Sequence, residues 1–152
     1  MAILGVESVV YGVDDLETCT RFWVDFGLNP VSADDTESVF DVPSGSRVIV
    51  RRNSDPRVPN AFPGNGVKET FYGVDTAENL EQLVAGIAAD LPVKRDADGT
   101  AHFVAPDGQP IGLRVWQKKP VVSIADAVNS PGRIQRLNQH RQWRRQIGRA
   151  HV

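Results

Sequence analysis

The sequence predicts an α+β fold of two tandem βαβββ modules, their sheets forming a cup, followed by an arginine-rich C-terminal arm. Three observations carry this prediction. Tyr11-Gly12-Val13-Asp14 recurs as Tyr72-Gly73-Val74-Asp75, an offset of 61 residues, and Glu17 meets Glu78 at the same offset. Each copy is preceded by a stretch rich in Val, Tyr, Phe and Thr, and followed by apolar residues at helical spacing. Short β-prone segments separated by turn residues then follow each helix in the same order.

The elements are justified in chain order. Leu4–Val13 reads as the first strand. Asp14 and Glu17 have the spacing of a capping box, which predicts a helix start there, and Leu16, Cys19, Phe22, Trp23 and Phe26 continue at helical spacing. Asn29–Ser32, Ser38–Val42 and Arg47–Arg52 complete the first module, with Pro43-Ser44-Gly45-Ser46 as a turn. Asn53–Gly66, with Pro56, Pro59, Pro63, Gly64 and Gly66, has linker composition. The second module repeats the pattern. Val67–Val74 is its strand and Asp75 with Glu78 its cap. Ala77, Leu80, Leu83, Val84 and Ile87 form its apolar stripe, and Pro92–Arg95, Ala101–Val104 and Ile111–Trp116 its closing strands. The division is 1–119 for the tandem domain, as modules 1–57 and 64–119, and 120–152 for the arm.

Composition narrows the function classes. The chain has 152 residues, 41% hydrophobic and 24% charged, with a net charge of -2, as in an ordinary globular protein. No apolar run reaches the roughly 18 residues of a membrane span, and Met1-Ala2-Ile3-Leu4-Gly5 lacks the basic start of a signal peptide. A cytoplasmic location is expected. One cysteine, Cys19, and three histidines, His102, His140 and His151, are too few for a disulfide scaffold or a Cys/His zinc cluster. Residues 127–152 hold six arginines and no acid, whereas 1–126 carry -8. Clustered arginines can neutralise phosphates, but the acidic body and the lack of an aromatic platform argue against nucleic acid. Docking of the arm on an acidic surface of this molecule or of a partner domain is the expectation.

The order of these motifs resembles the vicinal oxygen chelate superfamily, which includes glyoxalase I, bleomycin-resistance proteins and extradiol ring-cleaving dioxygenases. Val9-Val10-Tyr11-Gly12-Val13-Asp14-Asp15-Leu16-Glu17 and Arg21-Phe22-Trp23-Val24-Asp25-Phe26-Gly27-Leu28 resemble its first strand, helix start and aromatic pair. Phe103-Val104-Ala105-Pro106-Asp107-Gly108-Gln109-Pro110-Ile111-Gly112-Leu113 resembles its turn into the last strand. The likeness spans residues 4–118. It implies a divalent metal in the cup, held by a first-strand His and a last-strand Glu, because imidazole and carboxylate donors suit iron, manganese, zinc or nickel. Here Ser8 stands at the His position, Glu69 at its repeat-mate and Gly112 at the Glu position, with Arg51 or Arg52 near the corresponding site of module one. No metal is therefore expected in this chain, with Glu69 and His151 the weak candidates.

Individual residues keep two readings. His102 is a half-buried hydrogen-bonded histidine or a ligand or base. Phe22, Trp23 and Phe26 are core or cup lining. Arg51, Arg52 and Arg114 are anion contacts or solvated edge residues. The ligand-binding candidates are Trp23, Arg52, Tyr72, Phe103 and Arg114. Ile147-Gly148-Arg149-Ala150-His151-Val152 resembles the opening of another first strand. The expected function is that of a metal-free front half of a ring-cleaving dioxygenase-like protein, with a metal such as iron in a following domain. The alternative is a stand-alone protein of the bleomycin-resistance type that binds a small aromatic or cationic ligand. A homodimer or a packed second domain is the expected partner.

Overall fold

β-branched and apolar residues spaced two apart give Ile3–Val13 one face to bury. This stretch is β1 of the structure, a computed structural model that describes residues 2–121 and 131–132. α1 (Leu16–Phe26), β2 (Asn29–Ala33), β3 (Glu37–Asp41) and β4 (Arg47–Arg52) complete the first module. β5 (Gly66–Val74), α2 (Ala77–Ala88), β6 (Lys94–Arg95), β7 (Ala101–Val104) and β8 (Pro110–Val115) form the second. Tyr11 lies opposite Val50 of β4 and Tyr72 opposite Leu113 of β8, so the duplicated tyrosines hold equivalent places.

The two module sheets are one continuous sheet of eight strands in the order β2-β3-β4-β1-β5-β8-β7-β6. β1 runs parallel to β4, β5 runs parallel to β8, and antiparallel pairing of β1 with β5 joins the copies about a pseudo-twofold axis. Glu7 falls between the pairs Val6–Tyr72 and Ser8–Phe71, and Lys68 between Val10–Glu69 and Tyr11–Val67. Each is thus the extra residue of a bulge, and the two bulges are repeat-mates. Both charged residues are buried, 6% and 4% exposed.

Both helices pack on one face of the sheet. Val13, Leu16, Phe40 and Val50 form the core under α1, joined by Tyr11, Cys19, Trp23, Leu28 and Val48. Val74, Leu80, Ala101 and Leu113 do the same under α2, with Tyr72, Leu83, Val84, Ile87 and Phe103. Full burial of each large apolar side chain contributes about 1.5–3 kcal/mol. The expected aromatic stripe of α1 divides: Trp23 packs inward, but Phe22 is 57% and Phe26 44% exposed. The inward stripe runs through Leu16, Thr20 and Trp23, with the Thr20 hydroxyl 2.7 Å from that of Ser38, and this rotation turns Phe22 outward.

Both helix starts differ from expectation by one residue. The N-caps are Asp15, which accepts from the Thr18 N–H at 2.9 Å, and Thr76, which accepts from the Asn79 N–H at 3.2 Å. Asp14 is drawn away because its N–H donates to Asn65 Oδ1 and its carboxylate accepts from Asn53. Asp75 is likewise held, through its N–H on the Ala2 carbonyl and its carboxylate on Asn79 Nδ2. α1 ends at Gly27, whose φ of 104° closes the helix through N–H bonds to Trp23 and Val24 carbonyls. No helix among the described residues is long and apolar enough to cross a membrane.

Candidate functional site

Side chains alternate across a strand, so the partners of the helix-facing residues line the helix-free face. On β5, β7 and β8, Tyr72, Val74, Ala101, Phe103 and Leu113 pack beneath α2. Glu69, Phe71, His102, Gly112 and Arg114 consequently fall on the opposite face, where their contacts join them.

Glu69, 5% exposed, lies with Oε1 2.7 Å from His102 Nδ1, and His102 Nε2 lies 3.0 Å from Asp96 Oδ2. The imidazole is therefore braced by a carboxylate on each ring nitrogen. A neutral ring carries one N–H and can donate to one of them; the imidazolium can donate to both. Phe71 packs edge-on against the same imidazole, with centroids 5.6 Å apart. The Arg114 guanidinium stacks over the Phe71 ring at 4.1 Å. Its Nε stands 3.5 Å from Glu7 Oε2 without a hydrogen bond, while the fully buried Ser8 hydroxyl donates to that oxygen at 2.8 Å.

These three positions do not fit a transition metal. Ser8 spends its hydroxyl on Glu7, Glu69 is engaged by His102, and a Cβ on Gly112 would run into the Phe71 ring. The space where a last-strand carboxylate would begin is filled by that ring. Among the described residues no group of three or more His, Cys, Asp or Glu side chains gathers as a metal site.

The equivalent face of module one carries ion pairs. Arg51 Nε donates to Glu37 Oε2 at 2.8 Å, and Arg57 of the linker reaches the same oxygen at 3.2 Å and Asp55 at 2.7 Å. The Arg57 hydrogen bonds hold the Asp55 carboxyl below its ordinary range. Strand register makes Arg51 and Arg114 repeat-mates, because Arg51 lies opposite Gly12 and Arg114 opposite Gly73.

The ligand-binding candidates do not converge. Trp23 sits beneath α1, and Tyr72 and Phe103 beneath α2. Arg52, exposed at the end of β4, donates to the Asp35 carbonyl at 3.2 Å. Arg114 lies on the helix-free face together with Glu69. His151 and nearly all of the arm lie outside the described residues. Glu7, Phe71, Asp96 and Lys68 went unmarked in the sequence, although the 61-residue offset relating Glu7 to Lys68 was there to be read.

No family model matches the chain, and no curated protein matches it in sequence. Solved structures do match its fold. The 2,3-dioxygenase LapB from a Pseudomonas species has a TM-score of 0.63 at 23% identity, over 78% of this chain and 42% of that one. A Mn(II)-bound glyoxalase from Novosphingobium aromaticivorans has 0.60 at 21% identity, over 82% and 44%. An extradiol ring-cleaving dioxygenase from Brevibacterium fuscum has 0.63 at 17% identity, over 78% and 34%. The chain thus spans less than half the length of each. At these identities the likeness is one of fold, the paired βαβββ fold that this chain shares with those two dioxygenases and that glyoxalase.

Proposed function

We propose that this chain is a paired-module domain that holds no metal and carries out no chemistry itself, as in the front half of a ring-cleaving dioxygenase-like protein. In such a protein a second pair of modules would hold the metal, which there would chelate both catechol hydroxyls and activate dioxygen. The observation that supports this reading is the Phe71 ring over Gly112, with the buried Glu69 engaged by His102. The lengths of the similar structures, each more than twice the matched segment, agree with a second pair. Phe22 and Val31, 57% and 55% exposed on α1 and β2, offer apolar surface to a packed domain or a second copy.

Catechol turnover with added iron(II) under air tests the reading. The expected result is no ring-cleaved product above a protein-free control. Metal-dependent turnover by the purified chain, abolished by Glu69→Gln, would overturn it.

A further inference from the structure

Lys68 is an unusual residue to bury. It is 4% exposed, and among the described residues no carboxylate lies within ion-pair distance of its ammonium. Two of its three N–H donors go to linker carbonyls, Phe62 at 2.5 Å and Gly64 at 2.6 Å. A buried cation without a counter-charge is costly, and backbone dipoles offset only part of that cost. The bulge that places Lys68 also aims it at a pocket of about 280 Å³ beneath the linker between β4 and β5. Val58, Pro59, Phe62 and Pro63 supply the apolar walls, while the exposed Asn60 and Asp14 line the same pocket. The Asp14 carboxylate accepts from Asn53 Nδ2 at 2.9 Å.

We propose that this pocket binds a small monocarboxylic acid with a flat apolar body, its carboxylate taking the remaining donor of Lys68. The chemistry sets each part of that description. A carboxylate supplies a counter-charge to the buried ammonium through a charge-assisted hydrogen bond. Proline and phenylalanine walls favour a flat apolar body, and the volume, at the low end for small-molecule sites, admits about one ring. Asp14 repels any anion and a dianion the more strongly, so a monoanion is favoured over a dianion. The site is separate from the Glu69–His102 group, and its failure would leave the proposed function untouched.

Titration of the full chain with benzoate, benzamide and phthalate, followed by amide chemical shifts, tests the proposal. Benzoate should give saturable shifts centred on linker residues 58–64 and on Lys68, with benzamide and phthalate each about tenfold weaker or more. Lys68→Met should abolish benzoate binding. Should that variant fail to fold, Asn60→Glu, an exposed change that adds a like charge at the pocket, should weaken benzoate by about tenfold. Absence of saturable benzoate shifts, equal binding of benzamide, or benzoate binding undiminished in Asn60→Glu would each overturn the proposal.

Discussion

Replacing Gly112 by alanine adds one methyl group at the point where the account places an aromatic ring instead of a metal ligand. The added Cβ would overlap Cδ1 and Cε1 of Phe71. Phe71 is 5% exposed, and its ring is pinned by His102 on one side and Arg114 on another, so it cannot turn aside freely. Overpacking of this kind costs about 1–3 kcal/mol. Loss of the Arg114 stack adds about 0.5–1 kcal/mol, for a total of about 1.5–4 kcal/mol. Phe71→Ala alone should cost about 3–5 kcal/mol through the cavity it leaves. The two changes must then couple, because alanine at 112 meets no ring in the Phe71→Ala background. A double-mutant cycle by urea unfolding, at constant m-value, should give a coupling energy of at least about 1 kcal/mol in favour of the double variant. Gly112→Ala within about 0.5 kcal/mol of the parent and additive with Phe71→Ala would refute the placement of the ring.

Asp15→Ala should lower the urea midpoint through loss of the N-cap, and in helical content it should act on α1 more than Asp14→Ala does; the reverse order by circular dichroism and urea unfolding would restore the capping box at Asp14. Acid should destabilise the protein in a defined window. Asp34 is held at about 2, below its ordinary 3.8, chiefly by the Thr36 hydroxyl and by the Glu37 and Thr36 N–H groups. A depressed carboxyl of this kind stabilises the fold fully above its unfolded value and loses that contribution as pH falls toward 2. Asp15, Asp55, Asp75 and Asp98 shift in the same direction through their own hydrogen bonds. These groups leave the urea midpoint flat between pH 7 and 5 and lower it between about pH 4 and 2, with a shallower acid slope in Asp34→Asn. An unchanged slope in that variant would count against the Asp34 turn.

The repeat made the architecture legible before any coordinates. A duplicated Tyr-Gly-Val-Asp run at a strand-to-helix junction carries information on two periodicities at once; among the described residues every strand lies within two residues of its expected bounds, and both helices begin within two residues of Asp14 and Asp75. Joining of the halves into one sheet was not legible, because the pairing of β1 with β5 is made by backbone groups over residues that read alike in both copies. The candidate site was read less well. Trp23, Tyr72 and Phe103 drew attention as large aromatics, yet strand parity and helix rotation turn them beneath α1 and α2. Phe71, one residue before Tyr72, points the other way and organises the face that matters. Glu69 reaches His102 from a strand 33 residues away, a meeting no local pattern announces, whereas Asp96 meets it across the short β6–β7 hairpin. Glu7 and Lys68 were hidden by their bulges, which shift register by one residue; the repeat-mates Gly5 and Gly66, two residues before them with φ of 140° and 148°, were the mark left in the sequence.

Elemental analysis tests the metal-free reading most directly. The purified chain is equilibrated in turn with iron(II), manganese, zinc and nickel, then dialysed and measured against protein concentration. The account predicts no stoichiometric metal in any of the four samples, because the Phe71 ring fills the space above Gly112 and His102 holds Glu69. One equivalent of any of these metals, retained through dialysis and lost in Glu69→Gln, would contradict it.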